Sequence, residues 1–320
     1  PLLNVIMNAQ ILDRPLQFYE FITSFSNITL MATLQAKIAP DDVKEAFNYT
    51  RKVHPYLRMV ILPTADAPYG MKYCEMPDQE IPLEYETRDI DNNQWKESMQ
   101  QMGNSFRDLS QSISYLKLVS TPSGDQHEIY WSVNHSGIDG VSVFTVFNTF
   151  LEALGQIRDQ KKIAMPRSRE FIDIIGRAPK NALEIPRLEL PENYVLPLSP
   201  PEGSDTKAPA EIHGCWAELD KRQTEKLLQN CKKRNVTVQG ALSTALMLAA
   251  YKLQQAKFPL PQNFVNMIPV NMRPYVDPPV ENEDCASGSA GVLWNQHLTE
   301  NSTPWRSEEH TSELQSPNTI

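Results

Sequence analysis

Residues 128–151 read EIYWSVNHSGIDGVSVFTVFNTFL, and the change of period inside this stretch decides the fold. Ile129, Trp131, Val133 and His135 fall two apart, so an extended segment ending at His135 turns its imidazole to the same side as three apolar side chains. Past Asp139 and Gly140 the period lengthens. Val143, Phe144, Phe147, Phe150, Leu151 and Leu154 recur at three and four, as on the apolar face of a helix. The stretch predicts a strand, a tight turn bearing His135 and Asp139, and a helix.

Working outward, 113–119 and 128–134 predict a hairpin across a turn containing Pro122, Ser123 and Gly124. Leu30, Ala32, Leu34, Ala36 and Ile38 alternate with Met31, Thr33, Gln35 and Lys37, the pattern of a half-buried strand over 30–38. Pro40, Asp41 and Asp42 suit the first turn of a helix whose apolar stripe is Val43, Ala46, Phe47, Thr50 and Val53 and which ends at His54 and Pro55. Short strands are expected at 57–62, 71–76 and 83–87, and a polar helix at 92–104. Farther on, 214–219 reads as a strand, 221–235 as a charged helix, and 238–253 as a helix apolar nearly all round and hence buried. Strands at 264–270 and 290–294 follow. This succession is mixed α/β with a partly antiparallel sheet.

The chain has 320 residues, 41% hydrophobic and 22% charged, enough for a large core in two domains. A net charge of −9 with a pI near 5.3 argues against nucleic-acid binding. Cys74, Cys215, Cys231 and Cys285 are scattered with no CxxC pattern, so no metal site or disulfide framework is expected and a reduced, cytoplasmic setting is the plain reading. The longest apolar run, 241–250, falls short of the ~20 residues a bilayer span needs, so no transmembrane segment is expected. Residues 160–210 hold eight prolines, including LPLSPPEGSDTKAP, and read as a crossover linker between an N-terminal subdomain at 1–159 and a C-terminal one at 211–305. Arg306 to Pro317, RSEEHTSELQSP, resembles a translated adapter oligonucleotide, and 306–320 is read as a non-native tail.

A histidine four residues before an aspartate admits several chemistries. His135 can be a satisfied core histidine with Asp139 capping the following helix. A metal site needs further ligands, and His127 and His213 lack the spacing. A serine hydrolase needs a GxSxG elbow, which is absent. What remains is general-base catalysis, in which neutral imidazole takes a proton from a hydroxyl or amine attacking an activated acyl carbon, a contribution of about 10² to 10⁴ in rate. Asp139 need not touch substrate, and a buried carboxylate there requires a cationic partner.

HSGIDG resembles the HxxxDG motif of CoA-dependent acyltransferases of the chloramphenicol-acetyltransferase-like superfamily, which also holds the alcohol acetyltransferases and the condensation domains of peptide synthetases. RPLQFYEFI near the N-terminus, VTVQGALSTALMLAA and PVNMRPY are similar to further segments of that group, so the resemblance runs from Leu16 to about Trp294. It implies two αβ subdomains around a tunnel, with His135 as general base, Asp139 as a structural carboxylate and Arg273 as its salt-bridge partner across the halves. Asn134, Gly140 and Asn271 join these as substrate-binding or structural residues. Acyl-CoA enters as co-substrate, no bound cofactor is expected, and the acceptor is a small-molecule or lipid alcohol. Asn134 stands where condensation domains usually carry a preceding histidine, which favours the alcohol acetyltransferase branch. The DFGWG-like segment that closes the site in the group is missing, so a C-terminally truncated second subdomain with exposed apolar surface at an unpaired sheet edge is expected. The rival readings are a non-catalytic binding protein on the same frame and condensation on carrier-bound thioesters. Oligomeric state leaves no mark in the sequence.

Overall fold

A computed structural model describes residues 13–76, 82–91, 93–105, 107–161, 163, 178–179, 194–195, 213–254, 262–299 and 302. The expected tail at 306–320 and nearly all of the expected linker at 160–210 lie outside these residues. The chain divides into two compact units. The first comprises 1–180, 211–214 and 271–289, and the second 181–210, 215–270 and 290–320.

The first unit opens with β1 (Asp13–Pro15), α1 (Phe18–Thr23), β2 (Asn27–Gln35) and α2 (Pro40–Val53). It continues through β3 (Met59–Pro63), β4 (Met71–Glu75), β5 (Leu83–Thr87), α3 (Gln94–Asn104), β6 (Ser114–Ser120), β7 (Gln126–Asn134), α4 (Gly140–Arg158) and β8 (Ala178–Pro179). Its main sheet has the order β2-β7-β6-β5, antiparallel at β2/β7 and β7/β6 and parallel at β6/β5. A second, antiparallel sheet runs β1-β4-β3.

Both faces of the main sheet are covered, which explains why β7 is buried from His127 through Asn134 instead of alternating. Ile129, Trp131 and Val133 join α2 and α4 in the principal core, where Trp131 stacks on Phe147 at 5.8 Å and meets Phe47 edge-on at 5.8 Å. Such pairs contribute about 0.5–1.5 kcal/mol beyond burial itself. On the other face Tyr130, Val119 and Met31 pack with Trp95, Met99 and Met102 of α3. The register Asn27↔Asn134 brings the start of β2 beside the end of β7. Tying those two ends together is what fixes the turn that follows.

Three expectations need correction. The strand read at 30–38 runs Asn27–Gln35, because its ladder with β7 ends at the hairpin turn, Gln35↔Gln126. The strand read at 57–62 starts at Met59, since Pro55–Arg58 form a 3-10 turn. The strand read at 214–219 is absent: residues 213–220 are exposed and pair with no strand among the described residues, and a segment without a ladder partner makes no strand.

The second unit contains β9 (Tyr194–Val195), α5 (Lys221–Lys233), α6 (Val238–Gln254) and β10 (Gln262–Asn271). After β10 the chain returns to the first unit, where β11 (Val276–Asp277) pairs with β8. It then leaves through β12 (Ser289–Leu298), which joins the sheet β12-β10-β9. Helix α6 is not buried all round: Ala241, Thr244, Met247 and Ala250 face inward, while Leu242, Leu246 and Leu253 are exposed. Met247 packs with Phe264 and Leu298, so the helix is covered on one side.

Candidate active site

Strand β7 delivers Asn134 and His135 into a 3-10 turn over His135–Gly137, and α4 starts at Gly140. Three neighbours hold the turn. The His135 amide donates to the Ser26 carbonyl at 2.9 Å, and Asn134 Nδ2 donates to Ser24 O at 2.8 Å and Ser26 O at 3.3 Å. Asn134 Oδ1 accepts from the Ser136 amide at 3.1 Å. Tyr56, fully buried, reaches in from the turn after α2, donating to Asn134 O at 2.8 Å and accepting from Gly137 N at 3.1 Å. Burial raises its pKa, so the phenol stays protonated.

The His135 ring is partly exposed. Its Nδ1 lies 2.7 Å from the Ile138 carbonyl. A carbonyl oxygen only accepts, so Nδ1 carries the proton and, in the neutral ring, Nε2 carries the lone pair. Nε2 has no partner among the described residues. The other two histidines of the first unit's core differ. His127 is wholly buried with Nδ1 on Ser120 Oγ at 2.7 Å and Nε2 on Ala36 O at 2.9 Å, a satisfied core histidine, and His54 Nε2 meets Thr149 Oγ1 at 3.1 Å.

Asp139 caps α4, its Oδ1 accepting from Ser142 N at 2.9 Å. It is also the centre of a buried cage. Arg273 Nη1 donates to Oδ2 at 2.7 Å and Nη2 to Oδ1 at 3.0 Å, a bidentate pair, while Gly288 N and Ser289 Oγ donate to Oδ2 at 2.9 and 3.2 Å. Burial works against ionisation of this carboxyl, yet the Arg273 pair and the amides of Ser142 and Gly288 outweigh it and hold the pKa below the usual aspartate value. Five donors occupy the two oxygens. The side chain is therefore saturated and has no remaining capacity for a substrate.

Arg273 is completely buried. It also donates to Ser142 Oγ at 2.6 Å, Ala286 O at 3.0 Å and Asn271 Oδ1 at 3.3 Å. The expectation that the pair spans two halves is corrected. Segment 271–289 folds into the first unit, so Asp139 and Arg273, 134 residues apart, lie within one compact body. Cys285 sits in the same wall, and burial followed by the Asp139 charge pushes its thiol up and keeps it unreactive.

His135, Asp139, Asn134, Asn271 and Arg273 are thus linked into one constellation, and Gly140 opens α4 with free space around its Cα. Tyr56, Ser142 and Ala286 belong to it and were not singled out from the sequence; a tyrosine hydroxyl acting across about 80 residues leaves no local signal. Gly288 and Ser289 also serve Asp139. Among the described residues no group of three or more His, Cys, Asp or Glu could hold a metal ion, and no helix is long and apolar enough to cross a membrane.

Residues 208–296 match the family model described as phthiocerol/phthiodiolone dimycocerosyl transferase C-terminus. A search of curated protein sequences gives no match. Among solved structures, the chain is similar to polyketide synthase associated protein 5 from Mycobacterium tuberculosis, with 16% identity and a TM-score of 0.64 over 92% of this chain and 69% of that one. It is as similar to the first condensation domain of the calcium-dependent antibiotic synthetase, with 12% identity and a TM-score of 0.64 over 94% of this chain and 73% of that one. The epimerization domain from the third module of tyrocidine synthetase B follows at 17% identity and a TM-score of 0.61, over 90% and 69% of the two chains. The His135 turn and its buried aspartate–arginine cage are accordingly carried on a mixed α/β fold of the condensation-domain, chloramphenicol-acetyltransferase-like type.

Proposed function

We propose that the protein transfers an acyl group from a thioester, acyl-CoA, to the hydroxyl of a small or lipid alcohol, with His135 as general base. The observation that carries this reading is the 2.7 Å bond from His135 Nδ1 to Ile138 O, which directs the basic Nε2 away from the turn. Nε2 takes the acceptor's proton as its oxygen attacks the thioester carbon. The tetrahedral intermediate then collapses, breaking the carbon–sulfur bond, and the imidazolium returns the proton to the departing thiolate. Asp139 acts through the backbone. It fixes the start of α4, and with it the Ile138 carbonyl that sets the histidine tautomer, so it is a positioning residue and not a second base.

The acyltransferase family match over 208–296 supports this reading, as does the fold. A second reading, acyl transfer from a carrier-bound thioester, is supported by the equal likeness to a condensation domain. One assay separates them. The protein is given acetyl-CoA with a panel of alcohols, then the same acyl group on a phosphopantetheinyl carrier, and thiol release is followed. Turnover with free CoA thioester and loss of at least 10²-fold in His135→Ala are expected. Turnover with carrier alone selects the second reading, and activity that survives His135→Ala refutes both.

A further inference from the structure

Helix α5 carries a charge opposite to that of the rest of the chain. Residues 221–234, KRQTEKLLQNCKKR, hold six lysines and arginines against one glutamate, a net +5 inside a chain of net charge −9, so the remainder carries −14. At 3.6 residues per turn, Lys221, Arg222, Lys226, Lys232 and Lys233 fall within an arc of about 140°, on the side away from the buried Cys231. All five are exposed, and none has an ion pair or a side-chain hydrogen bond among the described residues. Glu225 is the one acid on the arc. At 1.5 Å per residue the face runs about 18 Å along the helix. Exposed apolar side chains adjoin it. Leu228, at 51% exposure, lies one turn before Lys232 on the same side, and Trp216 at 45% and Leu219 at 52% stand in the segment leading into the helix.

Helix stability does not account for this face. Lys232 and Lys233 suit the last turn, but Lys221 and Arg222 stand in the first, where the helix dipole works against a cation, and no carboxylate among the described residues pairs with them. Charge complementarity calls for an anionic surface as the partner. Four of the five cations are lysines, which protein interfaces deplete at their cores and which lack the arginine fork that grips carboxylates and phosphates one by one. Lysines beside an exposed tryptophan and two exposed leucines are instead the composition that rests on a bilayer, with the ammonium groups at the lipid phosphates and the apolar side chains just below them. The −14 carried elsewhere does not forbid this, because salt screens charges more than about 8 Å apart. We propose that the cationic face of α5, with Trp216, Leu219 and Leu228, is a landing surface for an anionic lipid bilayer. The contact is peripheral and needs no spanning helix. It does not rest on the acyltransferase reading; where both hold, a lipid alcohol reaches the protein from the bilayer in which it is dissolved.

The test sediments the full chain with vesicles of equal parts phosphatidylglycerol and phosphatidylcholine, and with vesicles of phosphatidylcholine alone. Binding to the anionic vesicles that weakens as salt is raised is expected. A lysine at such a surface contributes about 1 kcal/mol, about fivefold in affinity, so Lys232→Gln/Lys233→Gln should bind about 30-fold more weakly, while Lys232→Arg/Lys233→Arg stays within a few-fold. Tryptophan emission should shift to the blue on binding, and Trp216→Phe should remove that shift. The proposal is overturned by absence of binding to the anionic vesicles, by equal binding to phosphatidylcholine alone, by a glutamine variant that binds like wild type, or by an emission shift that survives Trp216→Phe. Duplex DNA or polyglutamate bound more tightly than the vesicles in the same salt also overturns it, by making the partner a nucleic acid or an acidic protein. None of these measurements uses turnover, so failure of the landing surface and failure of the acyltransferase reading are read by different signals.

Discussion

Replacing Arg273 with methionine removes the only side-chain cation bound to Asp139 among the described residues, without leaving a large cavity. The guanidinium is completely buried and makes five hydrogen bonds, two of them to the carboxylate. Breaking a buried pair from one side costs about 3–5 kcal/mol because the other charge stays behind. Asp139 keeps Ser142 N, Gly288 N and Ser289 Oγ, so the lower end, about 3 kcal/mol, is expected. With a urea dependence of about 1–3 kcal/mol per molar, the unfolding midpoint should fall by about 1–3 M. Arg273→Lys, which keeps the charge and loses the fork, should lie between. Asp139→Asn combined with Arg273→Met should be less damaging than the sum of the single changes, with a coupling of about 1–3 kcal/mol. Urea titration followed by circular dichroism measures all five proteins, wild type and the Asp139→Asn single variant included. A midpoint for Arg273→Met within about 0.3 M of wild type would refute the claim that the pair is buried and organises the turn.

Further outcomes follow from the same geometry. His135→Ala should lower transfer by about 10² to 10⁴ and leave the urea midpoint nearly unchanged, because only one side-chain hydrogen bond is lost from a partly exposed ring. Tyr56→Phe leaves the Gly137 amide without its acceptor in a buried place and should cost about 1–3 kcal/mol, with a matching loss of activity as the turn loosens. Gly140→Ala meets no atom within 4 Å and replaces a helix-breaking residue, so stability should hold or rise by up to about 1 kcal/mol. Any fall in its thiol-release rate then reports on substrate. As for pH, the Asp139 carboxyl is held below its unfolded value, so the unfolded chain takes up the proton first and the pair's stabilisation is present above the ordinary aspartate pKa, about 4. Stability should fall as the pH drops from there through the folded value. That acid slope should flatten in Asp139→Asn, as measured by urea titrations between about pH 2 and 6.

Much of this architecture is legible locally. The switch from a period of two to a period of three and four around Asp139 marks β7, the turn and α4, and the Pro-Asp-Asp start marks α2. What periodicity misses is what depends on partners. The 214–219 stretch reads as a strand yet meets no ladder among the described residues, and α6 is apolar nearly all round yet packs on one side only. Tyr56 and Ser142 enter the site through contacts 78 and 131 residues away. A buried carboxylate demands a cation, but only the resemblance of PVNMRPY named it as Arg273, and no local signal shows that its segment returns to the first unit. Helix α1 hides for the opposite reason: Phe18, Phe21, Ile22 and Phe25 have the spacing of a core-facing stripe, and only the buried Glu20–Arg14 pair reveals which side is inward.

The return of segment 271–289 has a consequence during synthesis. Asp139 and Arg273 are 134 residues apart, and at ~5–20 residues per second a ribosome takes roughly 7 to 27 s to connect them. Throughout that interval the emerging N-terminal body holds a carboxylate at the head of α4 whose counterion has not been made. The nascent body must keep that end open to water until the arginine arrives, and cutting the gene at the proline-rich stretch would make the wait permanent.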